Sequence, residues 1–234
     1  MITSRDNQTF KTLVRLMQKK HRREQGLCII EGEKIVREHA SNAQYVFVRE
    51  NSPSLTKGWR GDSRDGVVLA TKLFDSVTSL ETSQSILAIV PIPKPREVTF
   101  PYLVLDGIQD PGNMGTILRT AAAFGFNTVF CVNCADVWSQ KVLRAGVGTQ
   151  FHLNVIEGFG AIPEESELYI ADLNGAWLDK PSGKFGLVLG NEGQGVSAAI
   201  KALPHKVVTI PMTNATESLN VAVAGGILMH AMTK

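Results

Sequence analysis

The second half of the chain contains short, continuous apolar runs. The clearest are YLVLD (102–106), TVFCV (128–132) and FGLVLG (185–190). A strand that is apolar on both faces must be covered on both faces, which is the arrangement of a parallel sheet flanked by helices. The segments between these runs have helical character. We therefore predict an α/β fold whose C-terminal part is built on a parallel sheet.

The same reading predicts the remaining elements. Further C-terminal strands are expected at 151–157, 168–173 and 207–211, with helices at 113–125, 139–146, 196–202 and 218–232. Before residue 91 we predict helices at 9–25, 32–40 and 71–78, and strands at 27–31, 45–49, 67–70 and 86–90. This alternation predicts a small α/β domain at the front of the chain.

A proline-rich segment separates the two halves. Four of the ten prolines fall within PIPKPREVTFP (91–101). Prolines at alternate positions favour an extended connector that forms few backbone hydrogen bonds. We therefore predict two domains, residues 1–95 and residues 96–234.

Composition restricts the class of protein. The 234 residues can bury at least one full core, and neither a secretory signal nor an apolar run long enough to span a bilayer is evident. The odd number of cysteines, three, favours a reducing cytoplasm over a disulfide framework. Cys131 and Cys134 form a C-x-x-C pair without a second pair, and the five histidines lie far apart, so no metal site is expected.

Charge is distributed unevenly along the chain. Residues 1–96 carry 16 Lys and Arg against 10 Asp and Glu, whereas residues 97–234 carry 8 against 12. The densest basic segment is KTLVRLMQKKHRR (11–23), which contains no acidic residue. A basic front half favours a polyanionic partner, although a solvated helix face would give the same composition.

Three loops at predicted strand ends have unusual compositions. In the first, Asn113 could cap a helix or belong to a site, and Arg119 lies on an otherwise apolar helix. The second has glycines spaced G-x-x-G-x-G rather than the dinucleotide-binding G-x-G-x-x-G, with Glu192 inside the turn. The third, Met212–Leu219, is polar and leads to a helix of Val, Ala and Gly that Ser218 could cap. Loops at the carboxyl ends of parallel strands are the usual place for a ligand.

Taken together, these loops resemble a known family. DGIQDPGNMGTILRTAAAFG (106–125), LVLGNEGQGV (187–196) and IPMTNATESLNVAVAGGI (210–227) are similar to the three motifs of the SpoU (TrmH-type) RNA ribose 2′-O-methyltransferases of the SPOUT class. GLCIIEGEKIVREHA (26–40) and TSQSILAIVPIP (82–93) resemble the substrate-binding domain of rRNA-directed members, which is similar to a ribosomal-protein fold.

The resemblance implies an RNA 2′-O-methyltransferase. It implies S-adenosylmethionine as methyl donor, structured RNA such as 23S-type rRNA as acceptor, a homodimer, and a C-terminal domain with a deep trefoil knot. The implied catalytic residues are Asn113, Arg119, Glu192, Ser218 and Asn220. The implied cofactor-binding residues are Gly190, Asn191, Gly195, Ile210, Met212 and Leu219. Phosphate contacts are expected from Lys11, Arg15, Lys19, Lys20, Arg22 and Arg23. A tRNA 2′-O-methyltransferase and a catalytically silent RNA-binding member of the same fold are the alternatives.

Overall fold

A computed structural model describes residues 1–52, 66–78, 85–158, 160, 162–177, 180–213 and 218–234. The chain forms two compact units. The first comprises Met1–Pro93 and Trp138–Gly148, and the second comprises Lys94–Val137 and Thr149–Lys234. The division after Pro93 falls within the proline-rich connector. Residues 138–148, which we expected in the C-terminal domain, pack instead in the first unit.

The described part of the first unit is built around a four-stranded sheet. Its strands are β1 (Leu27–Glu31), β2 (Tyr45–Arg49), β3 (Val67–Leu69) and β4 (Ile86–Pro91). Their order is β1-β4-β2-β3, with β4 antiparallel to both neighbours and β2 parallel to β3. The helices are α1 (Gln8–Arg15), α2 (Lys19–Gln25), α3 (Glu33–His39), α4 (Thr71–Asp75) and α6 (Gln140–Ala145).

The predicted single helix 9–25 is wrong, because the chain turns between α1 and α2. The N–H groups of Met17 and Gln18 bond back to the carbonyls of Val14 and Arg15, at 3.2 and 3.0 Å. Gln18 has an extended backbone and precedes the first residue of α2. The pattern of charged residues is continuous across this turn, which is why a single helix was expected.

Apolar side chains cover both faces of the first sheet. On one face, Phe10 and Leu13 of α1 and Leu73 and Phe74 of α4 pack with residues of the strands. On the other face, α3 and α6 pack against β1. Two contacts hold α6 and its flanks in this unit. Gln140 Nε2 donates to the carbonyl of Val77 at 3.2 Å, and Gly148 lies so close to Ile35 that an added Cβ would be 2.5 Å from its Cδ1.

The second unit contains a six-stranded parallel sheet. Its strands are β5 (Tyr102–Asp106), β6 (Thr128–Val132), β7 (Asn154–Glu157), β8 (Glu167–Ala176), β9 (Phe185–Gly190) and β10 (Lys206–Val208). Their order is β10-β8-β9-β5-β6-β7, and each neighbouring pair is parallel. The predicted parallel sheet is confirmed. The helices are α5 (Pro111–Ala123), α7 (Ala198–Lys201) and α8 (Val221–Thr233).

Helices α5 and α8 pack against each other, and α8 packs on β9. Gly225 allows this close approach, because an added Cβ would lie 2.6 Å from Cδ1 of Leu189. Gly226 faces Thr120 of α5, with Cγ2 3.7 Å from the position of an added Cβ. The small residues of the last helix thus pack within this unit. None of the helices in the described ranges is long and apolar enough to span a bilayer.

Candidate active site

The turn after β9 is closed by its own backbone. The N–H of Asn191 donates to the carbonyl of Gly195 (3.1 Å), and the N–H of Gly195 donates to the carbonyl of Asn191 (2.9 Å). Asn191 Oδ1 also accepts from the N–H groups of Gly193 and Gln194, at 2.9 and 3.0 Å. A Cβ on Gly190 would lie 2.5 Å from the carbonyl carbon of Gly195. Glycine is required at 190 because the turn folds back against it.

Two side chains connect this turn to strand β5. Asn191 Nδ2 donates to the carbonyl of Gly107 at 2.8 Å. Asp106 is buried at the end of β5 and accepts at Oδ2 from the N–H of Ser197, at 2.6 Å. Loops that follow adjacent parallel strands leave the sheet at the same edge, where ligands usually bind. These two bonds hold the loops after β5 and β9 together at that edge.

A cavity of about 370 Å³ opens beside the turn. This volume is within the range of small-molecule sites, about 300–1,000 Å³. The cavity is lined by every residue predicted to bind the cofactor: Gly190, Asn191, Gly195, Ile210, Met212 and Leu219. Glu192 and Ser218, from the predicted catalytic set, line it as well. Residues 214–217 of the polar loop lie outside the described residues.

The cavity combines apolar walls with charges of both signs. Leu189 and Leu228 contribute apolar surface from β9 and α8. Carboxylates come from Asp172 and Glu192, and one ammonium group comes from Lys201. A ligand that carries both cationic and anionic groups on an apolar body would match this lining.

Three predicted catalytic residues form one hydrogen-bonded chain. Asn113 Nδ2 donates to Glu192 Oε1 at 2.7 Å, and Asn220 Nδ2 donates to Asn113 Oδ1 at 3.0 Å. Asn220 Oδ1 accepts from the N–H groups of Ala222 and Val223, at 2.9 and 3.3 Å. The structure therefore brings together residues from the loops after β5, β9 and β10.

The chain of bonds fixes which way each amide points. Backbone N–H groups only donate, so the oxygen of Asn220 must face α8 and its nitrogen must face Asn113. Asn113 consequently presents its oxygen to Asn220 and its nitrogen to the carboxylate of Glu192. Each amide retains one N–H, and Asn113 retains one oxygen lone pair, for a further partner.

The helix caps differ from the sequence prediction. Asp110, not Asn113, caps α5, because its Oδ1 accepts from the N–H of Asn113 at 2.7 Å. The predicted cap of the last helix, Ser218, is also wrong, since Asn220 occupies that position. Asp110 and Asn220 are both accepted cap residues, and the choice among nearby polar residues depends on where each helix begins. Asn113 is consequently free of a capping role.

Arg119 and Ser218 are placed differently from the other predicted catalytic residues. Ser218 is exposed and lines the cavity. Arg119 is exposed on α5 and does not line the cavity. Within the described part of the chain it has no ion-pair partner. Its guanidinium is available to an anion that approaches from solvent.

The basic residues of the first unit are mostly accessible. Arg15, Lys20 and Arg23 are exposed, and Lys11 and Lys19 are half-buried. Acidic residues outside segment 11–23 partly compensate them, since Lys11 pairs with Asp6 at 3.2 Å and Lys20 approaches Glu24 at 3.9 Å. Both pairs are exposed and contribute little stability, so a phosphate can replace the carboxylate.

Arg22 requires a correction. It was predicted to contact phosphate, yet it is only 6% exposed. Its Nη1 donates to the carbonyl of Leu16 at 2.6 Å, across the turn between α1 and α2. A buried guanidinium bound to a main-chain carbonyl has a structural role. The phosphate-contacting set is therefore reduced to the other five residues.

The cysteine pair occupies a strand end and the loop that follows. Cys131 is buried in β6, and Cys134 Sγ donates to the carbonyl of Leu105 at 3.2 Å. Burial raises the pKa of the Cys134 thiol to about 11. Both thiols are free, and within the described residues no three His, Cys, Asp or Glu side chains come together to hold a metal ion.

Sequence reasoning missed three charged residues at this site. Asp172 lies in β8, inside the predicted strand 168–173, and lines the cavity from the strand itself rather than from a loop. Lys201 lies at the end of α7 and faces the same space. Asp106 ends the apolar run YLVLD and accepts a hydrogen bond from the N–H of Ser197. An acidic residue at the end of a buried strand was the feature of the sequence that could have indicated this structural role.

Comparison with known proteins supports the motifs found in the sequence. The sequence model of the SpoU rRNA Methylase family matches residues 101–230. The MRM3-like substrate binding domain matches residues 7–88. Together these matches cover both halves of the chain.

One curated relative and two solved structures match nearly the whole of this chain. The chain is 32% identical to 23S rRNA (guanosine(2553)-2′-O)-methyltransferase RlmP of Bacillus subtilis, over 98% of this chain and 97% of that protein. A TrmH-family protein from Porphyromonas gingivalis has a similar structure, with a TM-score of 0.81, 28% identity, and coverage of 99% of this chain and 98% of that one. An AdoMet-bound rRNA methyltransferase from Sinorhizobium meliloti also superposes with a TM-score of 0.81, at 26% identity over 98% and 95% of the two chains. By its motifs, its parallel-sheet fold and these matches, the chain belongs to the SpoU rRNA methylase family.

Proposed function

We propose that this protein transfers a methyl group from S-adenosylmethionine to a ribose 2′-hydroxyl of ribosomal RNA. The observation that carries the proposal is the cavity at the carboxyl ends of β8 and β9. It is lined by the six residues predicted to bind the donor, and Glu192 connects it to Asn113 and Asn220. The full-length similarity to a 23S rRNA 2′-O-methyltransferase supports rRNA as the substrate class.

The residues of the cavity fit this donor. S-adenosylmethionine supplies a methyl group already activated on a sulfonium sulfur. The carboxylates of Asp172 and Glu192 complement cationic groups, and the ammonium of Lys201 complements a carboxylate. Gly190 and Gly195 expose main chain without a side chain, which suits recognition of a purine edge by backbone groups. The backbone of Gly190, Ile210 and Leu219 would make the principal contacts.

The protein must align the accepting oxygen with the donor and manage its proton. A guanidinium is ionised at neutral pH and is a poor base. Arg119 would therefore bind the adjoining phosphate and stabilise the negative charge that develops on the 2′-oxygen. Asn113 would orient the nucleotide through the N–H and lone pair that its bonds to Glu192 and Asn220 leave available. Ser218 and Asn220 would fix the hydroxyl and the loop.

RNA binding is assigned to the N-terminal domain, residues 1–95. Its match to a substrate-binding domain and its exposed cations Lys11, Arg15, Lys19, Lys20 and Arg23 support this role. Phosphate contacts of this type weaken steeply as the salt concentration rises. We further propose that the reaction takes place in the cytoplasm.

Two architectural features belong to the same proposal. The loops after β9 and β10 would thread into a trefoil knot, as in the SPOUT class, and hold the donor bent between them. The chain would also act as a homodimer. Val223 and Ile227 support the dimer, because they are apolar residues one turn apart on α8 and are 52% and 38% exposed.

The test is methylation by the purified full-length protein with tritiated donor, using rRNA and tRNA as separate substrates. A 2′-O-methyl group removes the nucleophile of alkaline hydrolysis, so the label should remain in alkali-resistant dinucleotides from rRNA. Label in tRNA alone would support the tRNA-directed alternative. RNA binding without any calorimetric response to the donor would favour a catalytically silent member.

A further inference from the structure

The first unit contains a second cavity, of about 450 Å³, beside α1 and Ser76. Three cationic residues surround it, Arg5, Lys11 and Arg15. Apolar surface inside it comes from Phe10, Val14 and Met17. Four of the residues that line this cavity were not among those predicted to contact phosphate: Arg5, Phe10, Val14 and Met17.

The sequence of α1 explains how this cavity arises. Phe10 and Leu13 point into the core and are 3% and 0% exposed. Lys11 and Arg15 lie four residues apart and therefore share the outer face of the helix. Val14 is on the same side, and Met17 follows in the turn before α2. A solvated helix face would be expected to carry polar residues at 14 and 17, yet these two apolar residues are 40% and 41% exposed.

The charge of the cavity favours an anion. Within the described ranges, neither Arg5 nor Arg15 has an ion-pair partner. Lys11 pairs with Asp6 at 3.2 Å, but the carboxylate side chain is 92% exposed and can be displaced. Asp75, at the end of α4, is held by both Nε and Nη2 of Arg49. The uncompensated charge around the apolar floor is therefore positive.

We infer that this cavity binds one unpaired nucleotide of the RNA substrate, at a point separate from the methylated ribose. The base lies against Val14 and Met17, and the flanking phosphates contact Arg5 and Arg15. A duplex buries the faces of its bases in the stack and presents phosphates, riboses and base edges, so no base face is available to the apolar floor. An unpaired base offers a flat apolar face next to its phosphates. The face matches the apolar floor of the cavity, and the phosphates match the cationic residues around it. This inference rests on the proposed function, because it identifies a feature of the RNA substrate.

The experiment uses the full-length protein and two short RNA hairpins. One hairpin carries a single unpaired 2-aminopurine, and in the other the same base is paired. Met17→Gln keeps the length of the side chain but makes the floor polar. It should weaken binding of the hairpin with the unpaired base by about fivefold and remove its 2-aminopurine fluorescence change. Binding of the fully paired hairpin should be unchanged.

Arg15→Met tests the phosphate contact. It should weaken binding of both hairpins and reduce the slope of log K against log salt by about one. Lys34→Met is the matched control, since it removes an exposed cation from α3 of the same unit, away from the cavity. The control should bind both hairpins like the unaltered protein.

The inference is wrong if Met17→Gln affects both hairpins equally or neither of them. It is also wrong if Met17→Gln changes self-association in the ultracentrifuge while RNA binding is unaltered, since the cavity would then contact another copy of the chain. Failure of the proposed function is a separate result, because it would appear as loss of donor binding or rRNA methylation in the unaltered protein.

Discussion

Asn220 donates from Nδ2 to Oδ1 of Asn113 at 3.0 Å, across 107 positions of the chain. The bond joins the start of the last helix to the start of α5, and Asn113 extends it to Glu192. The loops after β5, β9 and β10 are consequently joined by one series of hydrogen bonds. The backbone N–H groups of α8 fix which atoms donate and which accept in it.

The direction of these hydrogen bonds can be tested by reversing the one between Asn113 and Glu192. Asn113→Asp places two carboxylates together and should lower both kcat/KM and the free energy of unfolding, the latter by about 1 kcal/mol. Glu192→Gln alone removes the acceptor charge. In the double variant, the amide introduced at position 192 can donate to the carboxylate introduced at position 113, so stability should recover relative to Asn113→Asp. Urea unfolding of all four proteins gives the coupling energy. Purely additive losses would contradict the assigned bond.

The closed turn after β9 predicts that two nearby glycines respond differently to substitution. Gly190→Ala forces the added Cβ against the backbone of Gly195 and Val196, at 2.5 and 2.6 Å. Donor affinity, measured by calorimetry, should fall by more than about tenfold, because the turn must move out of position. Gly193→Ala is the control, since its added Cβ meets only Asn191 Oδ1, at 3.6 Å. Equal donor affinities for the two variants would show that the cavity does not depend on the turn.

Arg119 should affect the methyl-transfer step and leave donor binding nearly intact, because it does not line the cavity. Arg119→Ala should lower single-turnover methylation by about a hundredfold or more, as expected for loss of a group that stabilises developing charge. Arg119→Lys keeps the charge but loses the paired donors of the guanidinium, so it should recover only part of the rate. Retained turnover in Arg119→Ala would remove this residue from the mechanism.

Substitutions at two adjacent arginines should have different effects, one mainly on stability and the other mainly on RNA binding. Arg22→Met removes a buried donor to the Leu16 carbonyl and should lower the free energy of unfolding by about 1.5–3 kcal/mol. Arg23→Met is the matched control at an exposed position, and it should lower the free energy of unfolding by less than Arg22→Met does while weakening RNA binding. Urea unfolding and salt-dependent RNA titration check both effects. If Arg22→Met were as stable as Arg23→Met, the assigned role of Arg22 would be wrong.

The Cys134 thiol should resist alkylation at pH 8. Burial raises its pKa from 9.0 to about 11, so the reactive thiolate is scarce until the solution becomes strongly alkaline. Because the folded-state pKa is the higher one, its contribution to stability is complete below about pH 9 and disappears as the pH rises towards about 11. Peptide mass spectrometry after iodoacetamide treatment measures the reaction, and Cys134→Ser should show a smaller loss of stability over this interval. Rapid labelling at pH 8 would contradict the raised pKa.

The sequence was most informative where burial alone determines structure. The strands at 102–106, 128–132 and 185–190 have the predicted bounds because each is an apolar run covered on both faces. The lining of the cavity also contains the six residues that the family motifs imply for the cofactor, because those residues follow strands whose carboxyl ends share one edge.

The errors have a common physical origin in interactions that periodicity does not encode. The turn between α1 and α2 and the bond from Arg22 to Leu16 interrupt a charge pattern that looks like one helix. Asn220 caps α8 where Ser218 was expected, because the helix begins later than its composition suggests. Asp172 was missed because it lies within the predicted strand 168–173, whereas site residues were sought in the loops that follow strands. Each depends on local geometry or tertiary contacts rather than on hydrophobic spacing.

The segment Trp138–Gly148 has a consequence for chimeric proteins. It lies between β6 and β7 in the chain, yet Val142 and Leu143 are buried within the unit formed by Met1–Pro93. A single crossover in the proline-rich connector would combine Met1–Pro93 of one parent protein with Trp138–Gly148 of the other, although these two segments pack in the same unit. Recombination between distant homologues should therefore yield folded hybrids only when this short internal stretch is inherited together with residues Met1–Pro93.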